Sequence, residues 1–108
     1  MKASPRRHLI AIEVRTVVND GYGGEKETWS LFTQEFAAVY FGTGREQRAA
    51  AQEGGSQAAS FEVLSNRKTR TVSRVDHRIV FDNSVWDVTG AHDLDNGGRR
   101  ITAIRAAV

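Results

Sequence analysis

Ile10, Ile12 and Val14 alternate with Ala11, Glu13 and Arg15. Apolar β-branched residues at period two favour a strand, because they pack well on a pleated surface and lose rotamer freedom in a helix. This pattern constrains the fold more than any other feature because it recurs. Phe61 and Val63 flank Glu62. Ile79 to Phe81 and Val85 to Val88 form two short apolar runs. Ile101 and Ala103 alternate with Thr102 and Ile104. Turn chemistry separates the runs: three glycines among residues 21–24, Asp82-Asn83-Ser84, and Asn96-Gly97, the last a strong hairpin signal. Burying Ile10, Ile12 and Val14 contributes roughly 1.5–3 kcal/mol each before entropy is counted, so this face is expected to meet the core.

Residues 28–41 form a second strand region, with Phe32, Phe36, Ala38 and Tyr40 on one parity and Trp29, Leu31, Val39 and Phe41 on the other. A long stretch apolar on both parities predicts a bent strand with a bulge near residues 33–35. Gly42-Thr43-Gly44-Arg45-Glu46-Gln47 follows. Thr43 and Glu46 have capping-box spacing, and Gly54-Gly55 closes a run of helix formers over residues 45–53. The apolar face of that helix is only Ala49, Ala50 and Ala51. A cap contributes about 1 kcal/mol, and isolated helices below ~12–15 residues are marginal in water, so this one needs a neighbour to hold it. Residues 54–60 are small and polar and read as a flexible link. The expectation is an all-β domain: a small barrel or rolled antiparallel sheet of about six strands, with one short helix inserted between strands 2 and 3.

A chain of 108 residues is one domain's worth, here taken as 1–108 with residues 1–7 as a flexible arm. The absence of cysteine excludes disulfides, thiolate metal sites and thiol nucleophiles, and suits a reducing cytoplasm. No apolar run approaches the ~18 residues of a membrane span. Interruption of residues 10–18 by Glu13 and Arg15 argues against a signal peptide. Net charge is +2, but residues 67–78 carry Arg67, Lys68, Arg70, Arg74 and Arg78 against Asp76 alone, a local +4 that leaves the rest of the chain at −2. Such a segment is a solvated loop or a contact for phosphates or an acidic partner.

Convergent catalytic groups are hard to find. His8, His77 and His92 form no H-x-x-x-H or H-E-x-x-H pair, and Gly42-x-Gly44 lacks both the third glycine of a dinucleotide fingerprint and the lysine of a P-loop. Asp93-x-Asp95-x-Gly97 faintly resembles a calcium loop, but Ile104 stands at its twelfth position. There is no G-x-S-x-G elbow. The residues predict a non-enzyme with no cofactor or metal, working through its surfaces.

The order of the motifs resembles the head-closure proteins of long-tailed phages, also called head–tail joining or stopper proteins, whose relatives occur in gene transfer particles. The resemblance runs through Asp20-x-Tyr22-Gly23-Gly24, Trp29, Phe36-Ala37-Ala38-Val39, Gly42-Thr43-Gly44-Arg45-Glu46, Phe61-Glu62-Val63, Val85-Trp86-Asp87-Val88 and Arg99-Arg100-Ile101. Residues 65–74 depart from the family pattern in being more basic and lacking proline. The resemblance implies a small β-barrel without enzyme activity. It implies a ring of six or twelve copies at the virion neck, between a portal-bound adaptor ring and tail proteins, with packaged DNA passing through. A protein made in the host cytoplasm and monomeric until it meets its template suits that role. In such a ring Thr43, Arg45, Glu46, Arg48 and Gln52 are candidates for subunit or adaptor contact. Arg67, Lys68, Arg70, Arg74 and Arg78 are candidates for contact with DNA or an acidic partner. The alternative is a nucleic-acid-binding small barrel of the OB type, which needs exposed aromatics beside basic residues. Trp29, Phe36, Phe61, Phe81 and Trp86 read as core. Tyr22, Tyr40 and Phe41 read as exposed, and none adjoins the basic stretch in sequence.

Overall fold

The structure, a computed structural model, describes residues 6–42 and 57–105. Six strands follow in order: β1 (His8–Asn19), β2 (Glu25–Phe41), β3 (Gln57–Leu64), β4 (His77–Phe81), β5 (Ser84–Asp93) and β6 (Gly98–Arg105). All pairings are antiparallel, in the cyclic order β1-β2-β3-β6-β5-β4, and β4 returns to β1 to close a barrel. Closure leaves no sheet edge around the barrel wall. The expected helix over residues 43–53 lies outside the described residues. Among those described, the one helical element is a 3-10 turn over Thr69–Thr71.

The alternation read from the sequence makes the core. Ile10, Ile12, Phe61, Val63, Ile79, Trp86 and Ile101 are buried inside the barrel. Phe61 is the hub: its ring meets Phe81 and Trp86 edge-on, at centroid distances of 5.7 and 5.5 Å. The Trp86 indole N–H donates to the Phe81 carbonyl at 3.2 Å, so its polar end is satisfied. Residues 57–60, expected as a link, belong to β3 because they pair with residues 102–105 of β6.

The bulge falls one residue before the expected range. Ile12 opposes Thr33 while Glu13 opposes Leu31, so Phe32 is the extra residue. A second shift, at Thr89, lets Gly90 face Thr102. Both bends serve closure of a small barrel. Asp82 and Asn83 both have positive φ, 55° and 57°, the geometry of a two-residue hairpin turn between Phe81 and Ser84. Ser84, expected in the turn, therefore opens β5.

β1 and β2 outgrow the barrel. β4 covers β1 only from Ala11 to Val14, and β3 covers β2 only from Ala38 to Phe41. From Arg15 to Asn19 and from Glu25 to Trp29 the two strands pair only with each other, forming a projecting ribbon. Its tip is held locally. The Asp20 carboxylate accepts the N–H groups of Tyr22 and Gly24, at 2.8 and 3.0 Å, while Gly21 and Gly23 take the positive φ that the turn demands.

Candidate partner-binding surfaces

Residues 65–76 connect β3 to β4 across one end of the barrel. Asn66 organises the segment: its side-chain oxygen accepts from the N–H groups of Lys68 and Thr69, at 2.9 and 2.8 Å, and its amide donates to Glu35 at 3.2 Å. The Thr69 hydroxyl, fully buried, donates to the Leu64 carbonyl and receives the Asn66 N–H. Thr69 and Val72 thus plug the barrel end, and the residues between them face solvent.

This arrangement divides the five cations expected to act together. Arg67, Arg70 and Arg74 are exposed and make no ion pair among the described residues. Lys68 is exposed but partly engaged: its ammonium donates to the Phe32 carbonyl and stands 5.7 Å from the centre of the Phe32 ring. Arg78 is used internally. Its guanidinium donates to Glu13 at 2.7 Å and lies 4.3 Å over the Trp29 ring. Arg78 anchors the base of the ribbon and is not an open contact residue. Arg15 extends the same network to Glu27 and Asp76, and the Trp29 indole N–H donates to Glu27 at 2.8 Å. This fixes the direction in which the ribbon leaves the barrel.

The fold therefore does bring aromatics to the basic segment, which the chain order concealed. Their faces are not open platforms, however, since Arg78 covers Trp29 and Lys68 approaches Phe32. Thr43, Arg45, Glu46, Arg48 and Gln52 lie outside the described residues, as do residues 1–5 of the expected arm. Arg6, by contrast, is half-buried and sets its guanidinium beside Gly98.

A third surface was not read from the sequence. Leu9 and Phe36 oppose each other on the outer wall, 52% and 59% exposed. Ala11 opposes Val80, and Val80 opposes Val85. These residues form an apolar band across β2, β1, β4 and β5. Phe36, expected in the core, points outward because the bulge at Phe32 reverses the parity of β2. The inward positions past the bulge are Thr33, Glu35, Ala37 and Val39.

His77 sits beneath the basic segment, buried, with its ring edge-on to Phe32 at 4.8 Å. Its Nδ1 accepts the Ser73 N–H at 3.1 Å, so the ring is neutral in this arrangement. Burial pushes its pKa below the ordinary 6.5, against the opposing pull of the Asp76 carboxylate. The unfolded chain therefore takes up this proton first as pH falls. The contribution of His77 is complete above pH 6.5 and is lost as pH drops from there to the lower folded pKa. Urea unfolding across that window is expected to show stability falling with pH in the wild type and a flatter profile in His77→Gln. Parallel profiles would remove His77 as the cause.

A model of the phage head completion protein family matches residues 1–108 of the chain. The chain belongs to that family. It is accordingly a structural virion protein associated with the head and tail parts of the particle, in accord with the non-enzyme expectation. The fold is also similar to a chain in a solved structure described as the virion of a native gene transfer agent particle. The TM-score is 0.62 at 21% identity, over 94% of each chain. No curated protein matches it.

Proposed function

We propose that this head completion protein forms a closed ring at the head–tail junction, seated on a portal-bound adaptor and offering its other side to the tail. The match of the family over the whole chain carries this reading. The chain's surfaces support it. A ring is built from heterologous contacts between different patches of one chain, and this chain has three distinct ones: the ribbon, the basic end and the apolar band. Ring copies number six or twelve.

Arg67, Arg70 and Arg74 face an anionic surface in this reading, the phosphates of the DNA held in the particle. Their side chains stand on a braced, plugged loop, so little backbone ordering entropy opposes the contact. Replacing all three with serine changes stability by no more than about 0.5 kcal/mol per position, the usual range for exposed sites. It lowers affinity for duplex DNA and reduces the steepness of log K against log salt by roughly 0.9 for each phosphate that the variant no longer neutralises. Particles carrying the variant lose DNA. Unchanged DNA affinity with lost binding to the adaptor would reassign the three arginines to an acidic protein neighbour.

A further inference from the structure

Tyr22, at the tip of the ribbon, is 95% exposed. Its backbone is nonetheless held. The Asn19 side chain accepts the Gly21 N–H at 2.9 Å, and Asp20 Oδ1 accepts those of Tyr22 and Gly24. An aromatic ring displayed on a braced turn costs little backbone entropy to dock, and tyrosine is among the residues that dominate protein contacts. Two anions stand beside it. Asp20 Oδ2 accepts no hydrogen bond and Glu25 makes no ion pair among the described residues. From Arg15 to Asn19, β1 runs past its pairing with β4. At about 3.3 Å per residue this carries the tip about 17 Å clear of the wall.

The wall opposite holds a hollow of about 320 Å³ over β3, β6 and β5. Strand register makes it. Ser60, Thr102 and Gly90 lie side by side as a row of small outward residues, and the shift at Thr89 brings the glycine into that row. Ile104 stands on one side of the row, Arg100 and His92 on the other. Whole small molecules take pockets of roughly 300–1,000 Å³, so this hollow suits one large side chain. Its rim carries a cation with spare capacity. Arg100 donates to Glu62 from Nε and Nη2, which leaves Nη1 for another acceptor.

We infer that Tyr22 of one copy of this chain seats in the hollow of the next, its ring over Ser60, Thr102 and Gly90, with Asp20 and Glu25 turned to Arg100. The inference rests on the ring reading above. The chain does not fill its own hollow, because β6 stands three strands from β1 whichever way the barrel is followed. The contacts of Arg15 with Glu27 and Asp76 fix the ribbon where it leaves the barrel. This opposition is what a ring requires. Neighbours in a ring of six or twelve differ by a rotation of about 60° or 30°, so the two contact patches of each copy lie on nearly opposite sides. Knob and hollow are different patches of opposite charge, and the contact is heterologous.

Tyr22→Ser and Ser60→Leu test it in particles made without the wild-type protein. Neither side chain belongs to the core, so each purified variant should melt like the wild type. Removing the knob or filling the hollow should weaken each contact by about 30-fold or more and keep the variant out of particles. Tyr22→Phe, which keeps the ring, should enter them. The chain has no cysteine, so introduced thiols are its only ones. Glu25→Cys and His92→Cys leave Tyr22 and the floor of the hollow in place. Particles made with a mixture of the two should yield a dimer with a short bis-maleimide, and neither variant alone should. Dimers from Glu25→Cys alone would mean that tip meets tip and would overturn the heterologous contact. Rings of Tyr22→Ser that form but fail to bind the adaptor or tail would give the tip to a different protein. Wild-type particles holding a single copy would sink the ring reading itself, whereas rings that Tyr22→Ser joins normally would sink only the knob and its hollow.

Discussion

Trp86→Ala is expected to lower the stability of the domain by about 3–5 kcal/mol, the range for deleting a large buried aromatic. Whole domains are stable by only about 5–15 kcal/mol, so this change brings the protein near unfolding at 37 °C. The reason lies in what the indole touches. It stacks edge-on against Phe61, donates to the Phe81 carbonyl and is covered by the Arg105 guanidinium at 4.9 Å. Alanine removes the ring, leaves the Phe81 carbonyl without its donor and opens a cavity beside the hub of the core. Trp86→Phe keeps most of the packing and forfeits the hydrogen bond, whose net contribution is about 0.5–1.5 kcal/mol. Denaturant unfolding followed by the fluorescence of the remaining Trp29 measures both variants. A loss under 1 kcal/mol for Trp86→Ala would contradict the central place given to this residue.

The same core residues were legible in the chain. Ile10, Ile12, Phe61 and Ile101 announce themselves by period two, Ile79 and Trp86 by their short apolar runs, and each is buried. The bent second strand suited either a small barrel or a rolled sheet, and the chain forms the closed barrel. Local pattern fails where one extra residue intervenes. Counting apolar residues along β2 puts Phe36 inside, yet the bulge at Phe32 hands the inward positions to Thr33 and Glu35. Those polar side chains look wrong for a core until Asn66 is placed against Glu35 and the Thr33 hydroxyl is seen donating to the same carboxylate at 2.7 Å. Their partner arrives from a distant loop, and periodicity carries no record of it. The basic segment shows the same limit. Its charge was readable, but the withdrawal of Arg78 into the network with Glu13 and Trp29 depends on strand register.

Asn66→Ala is the second large effect, and it separates the placing of charge from its amount. The side chain satisfies the N–H groups of Lys68 and Thr69 and ties the turn to Glu35. Lys68 is exposed, so water replaces its missing acceptor. Thr69 is fully buried, so its N–H loses a partner that water does not easily supply, at a cost of about 1–3 kcal/mol. The relief is local opening of residues 65–76, which exposes Val72 and the barrel end. Hydrogen exchange at Thr69 should accelerate far more than exchange at Phe61. Asn66→Asp restores an acceptor for both N–H groups but sets a second carboxylate against Glu35, so it recovers protection at Thr69 only in part. DNA binding is the informative readout, because Asn66→Ala leaves Arg67, Arg70 and Arg74 in the chain and frees the backbone that carries them. Affinity should fall while the salt dependence persists, since the same cations still meet phosphate after ordering. An affinity equal to that of the wild type would show that the arginines act as a diffuse charge and that the brace serves stability alone.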